Sequence, residues 1–322
     1  MVAVLHPGQF STDVPSNCDD HDLVEQSDDI ATSSSYVRIV AREAMLMTPI
    51  LDGLGPLTSR KPLPAIYEHI LKCDQDMRLL VQQIPSFLLR DVELQEPEAS
   101  LTVPWIHTAR RTLAISAADK IIMMHRPVLF YAFMNPAFSK TRETCTAAAK
   151  TILREHEQAA TDGTLSIWTQ SAFCITAAMV LGLDLLHRVT HTDDQASEHR
   201  HQLARAADRL RARRCDVLAA KAARLIDVFL AVEEDLVIRV MRKRGGNIEG
   251  AQREAISDMI QSQEILARFL DFGTDLHVLD TVGPSPASMD SFDLAFNPTD
   301  ATEDFEAWFQ TVFAPIYPES ID

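Results

Sequence analysis

From Ser33 to about residue 271, apolar residues recur three and four apart, and no stretch alternates apolar with polar long enough to propose a strand. Ser33–Ser35 offer an N-cap to a helix carrying Tyr36, Val37, Val40, Ala44 and Met47, with a stop expected around Pro49 or Gly53. After a Gly/Pro connector, Pro64 starts a second helix. Tyr67, Ile70, Leu71, Met77, Leu80 and Val81 recur along it until Pro85. A linker over 91–103 leads to Pro104 and a long helix from Trp105 to about His125, which Pro127 is expected to end. Ser139 caps a helix running to about Ala160, closed by Asp162-Gly163. Residues 163–183 carry no charge and predict a central helix over about 165–189. The charged, amphipathic stretch 197–244 predicts two helices or one bent one, and a last helix is expected over 248–271.

These patterns predict an all-α fold of seven or eight helices around one core. The domain reading is an irregular acidic segment over 1–32, a helical domain over 33–272 and an acidic, aromatic tail over 273–322. The uncharged run is long enough to span a bilayer. Thr164, Ser166, Thr169, Gln170, Ser171 and Thr176 interrupt it and Asp184 follows, which favours a core helix of a soluble chain.

Charge divides the 322 residues the same way. The net charge is −16, yet residues 1–30 and 273–322 hold seven and ten acidic residues and no Lys or Arg, leaving the middle near +1. Such a chain is a poor binder of phosphate backbones, since that requires clustered Lys and Arg. Five cysteines at 18, 73, 145, 174 and 215 form no CxxC and no metal-ligand spacing, so neither a zinc framework nor a disulfide scaffold is expected. Reduced thiols in an intracellular compartment are the plain reading. No secretory signal opens the chain at Met1.

Catalytic signatures are absent or weak. No GxSxG, GxGxxG, P-loop or HExxH occurs. Asp271-Phe272-Gly273 has no accompanying kinase elements and reads as a helix end. His187, His191, His199 and His201 read as a solvated helix end and connector, and Glu233-Glu234-Asp235 as a charged helix face. The basic runs at Arg209, Arg211, Arg213, Arg214 and at Arg242, Lys243, Arg244 read as ordinary polar faces. No catalytic residue, metal site or cofactor is assigned.

Five segments carry a resemblance. The first runs from Phe10 to Leu23, with Pro15, Asn17, Asp19, Asp20 and Asp22 at its fixed points. Then come Ser35 to Ile39, and Leu71, Asp74 and Arg78 leading to Ile84-Pro85-Ser86-Phe87-Leu88. Ile121 to Pro127 holds His125-Arg126-Pro127, and Phe138-Ser139 precedes Arg142, Cys145, Ala148, Ala149, Ile152 and Leu153. In order and spacing these resemble the regulatory ("middle homology") domain of fungal zinc-cluster transcription factors, over about residues 10–190. The resemblance implies a helical domain that receives signals and restrains or exposes an activation segment. The family's six-cysteine DNA-binding module has no counterpart here, so direct DNA binding is not implied.

The tail fits that picture. Phe292, Leu294 and Phe296, then Phe305, Trp308, Phe309, Val312 and Phe313, are interleaved with Asp and Glu. The last five fall at i, i+3, i+4, i+7 and i+8, one apolar stripe that a coactivator groove would capture as a helix. The alternative is a last helix packed back on the domain. The expected function is therefore a nuclear transcription regulator without its own DNA-binding module, a helical sensor or scaffold with an acidic effector tail. Expected partners are coactivator or transcription-machinery proteins, a DNA-binding partner chain and a small apolar ligand, with no membrane or direct nucleic-acid contact. The competing reading is a cytoplasmic enzyme of secondary-metabolite biosynthesis, more weakly signalled. It would use an apolar pocket in the same fold with His107, Arg110, His125 or Arg126 as converging polar groups.

Overall fold

A computed structural model describes residues 13–54, 61–89, 105–161, 168–188, 194–214, 216–242 and 255. Seven α-helices and no strand occur among them: α1 Ser35–Leu54, α2 Leu63–Gln82, α3 Ile106–Met134, α4 Ser139–Thr161, α5 Trp168–Leu186, α6 Asp194–Arg211 and α7 Val217–Arg242. Short 3-10 turns at Ser86–Leu88 and Pro136–Phe138 follow α2 and α3. The all-α expectation holds, and 197–244 is two helices. The expected helix over 248–271 and the tail lie outside the described residues, apart from Ala255, which is buried in the main core.

The long helix α3 organises the molecule because it is apolar on two sides. Ile115, Ala118, Ile122, Leu129 and Phe133 face a continuous core shared with α4 to α7. Ala109, Leu113, Met124, Val128 and Ala132 face α1 and α2. On α4 the core residues Cys145, Ala148, Ala149, Ile152 and Leu153 keep the i, i+3, i+4, i+7, i+8 spacing of one buried stripe. Uncharged α5 runs through the middle, with Cys174, Ala177, Ala178, Val180, Leu181 and Leu185 fully buried. It is long and apolar enough to cross a membrane by composition, and most of it is covered by protein. At Gly182 the helices come so close that a Cβ would lie 2.4 Å from the Phe229 ring of α7. Only glycine fits there.

One expected helix end is corrected. Pro127 does not end α3, which continues to Met134. Proline costs one backbone hydrogen bond and crowds the preceding turn. Burial of Val128, Leu129, Ala132 and Phe133 beyond it outweighs that cost, at roughly 1.5–3 kcal/mol per large apolar side chain. Of the two stops offered for α1, Gly53 matches the observed end at Leu54, while Pro49 lies inside the helix with Ile50 just after it 2% exposed. Pro85 does act as a stop, three residues after the end of α2.

Candidate functional site

The motif residues, scattered over 130 positions of sequence, gather at two places. The first is a clasp in front of α1, in the irregular segment. Asn17 is 2% exposed, and its carboxamide donates to the carbonyls of Ser27 (2.8 Å) and Ile30 (3.0 Å). Its Oδ1 accepts from Thr32 Oγ1 (2.8 Å) and Ser35 Oγ (2.9 Å), so all four positions of the amide are used. Asp19 Oδ1 accepts from the Ser33 amide (2.9 Å), and Asp20 Oδ1 from Ser33 Oγ (3.0 Å). Arg38 on α1 donates to the Pro15 carbonyl and pairs with Asp28 at 2.8 Å, which Arg42 also reaches at 3.2 Å. Asn17, Ser35, Arg38, Arg42 and Pro85 border a cleft of about 10 Å³, room for about one water. Pro15, Asn17, Asp19, Asp20 and Pro85 thus form one unit.

The second place is the junction of α2, α3 and α4. His125 is fully buried; its Nδ1 lies 2.9 Å from Thr141 Oγ1, and its Nε2 3.7 Å from Asp74 Oδ1. Arg78 Nε donates to Asp74 Oδ2 at 2.8 Å. Burial alone would raise the Asp74 pKa, but His125 and Arg78 outweigh it and hold it at about 2. Cys145 is fully buried beside this group, and burial together with the Asp74 charge pushes its thiol pKa far up, so it is an inert thiol. The order Asp74, His125, Thr141 has the residue types of a catalytic relay without its function. The 3.7 Å step is too long for a hydrogen bond, and all three residues are at most 2% exposed. The arrangement is a polar tie between three helices.

The remaining sequence candidates do not converge. His107 is exposed, and Arg110 donates to the Phe87 carbonyl at 2.7 Å. Arg126 is half-buried, with burial lowering its pKa to about 10 against the opposing pull of Asp119. Phe292, Leu294, Phe296, Phe305, Trp308, Phe309 and Phe313 lie outside the described residues. Among the described residues no three His, Cys, Asp or Glu side chains come together as a metal site, and Cys18, Cys73, Cys145 and Cys174 are free.

Two readings of polar residues as solvated faces are wrong. His199 is 1% exposed, with Nδ1 3.0 Å from Asp184 Oδ2. Glu233 is 5% exposed and paired with Arg200, although Glu234 beside it is exposed as expected. Asp184 is the hub that sequence reading missed. Fully buried, it takes Arg142 Nε and Arg188 Nε at 2.5 Å each, besides His199. Burial works to raise its pKa, yet His199, Arg142 and Arg188 hold it well below the usual carboxylate range. His187 stacks on Phe133 at 5.0 Å and Arg142 lies over the same ring at 5.4 Å, so aromatic contacts frame the hub. Burial lowers the His187 pKa to about 4. A second missed tie joins α1 to α3: buried Glu43 accepts from Lys120 at 2.7 Å and Ser116 at 3.0 Å.

Set beside family models, curated proteins and solved structures, the chain matches none of them.

Proposed function

We propose that the chain is a regulator of transcription of the fungal zinc-cluster type, with no six-cysteine DNA-binding module in its 322 residues. In this reading it is a helical sensor or scaffold whose effector is the acidic tail, and it reaches DNA through a partner. One observation carries the proposal: residues that the resemblance singles out at Pro15, Asn17, Asp19, Asp20, Asp74, Pro85, His125 and Cys145 assemble into two polar units that order the helices. A chance string of matches has no reason to converge. Asn17, Asp74, His125 and Cys145 are buried, which supports structural rather than catalytic roles for them and favours the regulator over the enzyme.

The tail gives the test. Residues 284–322, fused to an unrelated DNA-binding domain in a fungal host, should activate a reporter without the helical domain. Changing Phe305, Trp308 and Phe309 together to Ala should abolish the signal, because they supply the apolar area a coactivator groove buries. Changing Asp304 to Asn and Glu306 to Gln should weaken it less, since those charges keep the stripe in water and steer encounter. A silent reporter from a well-expressed fusion would contradict the proposal.

A further inference from the structure

Soft metal-ligating side chains meet at the seam between α1 and α2. His69, Cys73 and Met77 stand four apart on α2 and so share one face of that helix. Cys73 and Met77 pack in one cluster with Met47 and Ile50 of α1 and Met124 of α3. The register across the seam is fixed at both ends. Near the end of α1, the His69 ring lies on the Gly53 backbone, where a Cβ would overlap it, and His69 Nε2 lies 3.1 Å from the Ile50 carbonyl oxygen. At the other end, Ile39 shares a cluster with Ile84. The helices therefore run antiparallel, and Met47, one turn before Ile50, comes level with the turn from Cys73 to Met77.

A carbonyl only accepts, so His69 carries its hydrogen on Nε2, which leaves Nδ1 with its lone pair. A metal-ligating imidazole has this arrangement, with one nitrogen donating to a backbone carbonyl and the other turned to the ion. Cys73 Sγ lies 3.4 Å from Nε2 and 3.9 Å from Nδ1. An ion that holds sulfur at about 2.3 Å and nitrogen at about 2.0 Å keeps them roughly 3.5–3.8 Å apart in tetrahedral or trigonal geometry. The Nδ1–Sγ separation is close to that of two donors on one ion. The remaining donors decide which ion. Thioethers bind soft cations and not hard ones, and a thiolate with an imidazole and thioethers suits Cu(I). The group lies just beneath the surface: His69 is half-buried, and Cys73 and Met47 are 4% and 9% exposed.

We infer that the seam is a Cu(I) site, with Cys73 Sγ and His69 Nδ1 as the anchoring ligands and the Met47 and Met77 thioethers completing the shell. Binding exchanges one ion for one proton. The Cys73 S–H bond breaks, its proton leaves to solvent, and the thiolate takes the cation with no change in oxidation state. Burial pushes the Cys73 thiol pKa up, so the thiol stays neutral until the metal displaces its proton. A bound ion ties α1 to α2 through Met47. The site stands independently of the regulatory reading.

The reduced full-length chain, kept free of oxygen, should be titrated against the Cu(I)–bicinchoninate complex, whose colour fades as copper transfers to the protein. The wild type should withdraw one equivalent, and C73A should lose it. H69N and M47L/M77L should each bind that equivalent about tenfold more weakly or worse, and Met→Leu keeps the core volume, so the second variant is expected to fold. Unchanged helical circular dichroism verifies the fold of all three. Hydrogen exchange in peptides from residues 35–54 and 63–82 should slow when copper is added to the wild type and not to C73A, which separates the seam from the thiols of Cys18, Cys145, Cys174 and Cys215. No uptake by the wild type, uptake unaltered in C73A, or wild-type affinity in M47L/M77L would each overturn the inference.

Discussion

On one side of α3 a single apolar cluster runs unbroken through α4, α5, α6 and α7. On the other, α1 and α2 meet it through three separate small clusters, centred on Leu113, Met77 and Val128. Polar ties add to them: Glu43 of α1 pairs with Lys120 of α3, Asp74 of α2 lies beside His125 of α3, and the Asn17 clasp holds the segment in front of α1. The difference teaches how the two layers divide their work. The main bundle draws its stability from continuous burial, which scales with area and is insensitive to the loss of any one polar contact at its edge. The outer layer buries less per helix and depends on a few directional bonds, so it can open without the bundle. In the regulatory reading it is the layer a signal would move.

The sharpest way to break this contrast is to attack the buried charge cluster at Asp184 in the main bundle. Asp184→Ala leaves Arg142, Arg188 and His199 without their common counter-ion. Loss of one member of such a group costs about 3–5 kcal/mol, and here the arginines retain some access to water, which favours the lower end. A urea titration should show one cooperative transition at a much lower midpoint.

Acidification should act next. His187 and His156 both lie in the main bundle, and burial lowers each pKa to about 4. Between that value and the ordinary histidine range the unfolded chain binds protons that the folded chain does not, so stability falls as pH drops from about 6.5 towards 4. Each site contributes on the order of 2 kcal/mol over that window. Asp74, held at about 2, adds its own loss only below its ordinary value near 3.8. Asp119, raised by burial to about 6, works the other way over the same window, so the histidine contribution is read as the difference in slope between wild type and H156N/H187N in urea midpoints from pH 7.5 to 4.5. Equal slopes in wild type and the double variant would show that neither histidine is held neutral.

The helical class was readable before the structure, whereas the division into two layers was not, since one core was expected. The helices of the described residues and the stop at Pro85 follow from periodicity and proline chemistry, while 197–244 was open between two helices and one bent one. Pro127 misled because local proline rules are outweighed when apolar residues on both sides have a core to enter. The hubs were hidden for a related reason: a polar residue is visible as buried only by the company it keeps. Glu43 gave a signal, standing between Ile39 and Met47 at core spacing, and Asp184 stood at the end of twenty-one uncharged residues. His199 gave a weaker one, standing at core spacing between Ala196 and Leu203 in an otherwise polar stretch, with its partner fifteen residues away. Asn17, Asp74 and His125 were found only because they stood at motif positions; periodicity alone does not distinguish a clasp from a loop.

The smallest effect on total stability should come from Asn17→Ala, and it tests the separation of the two layers most directly. The substitution removes four hydrogen bonds at the clasp and leaves the carbonyls of Ser27 and Ile30 short of donors. Native-state hydrogen exchange should be followed by mass spectrometry on peptides from residues 15–54 and from 168–186, in wild type and variant. The account predicts that protection falls by tenfold or more in the first set, equivalent to about 1.4 kcal/mol of easier opening, with the second unchanged. Equal loss of protection in both sets would contradict it, because the clasp, α1 and the main bundle would then be opening as one unit.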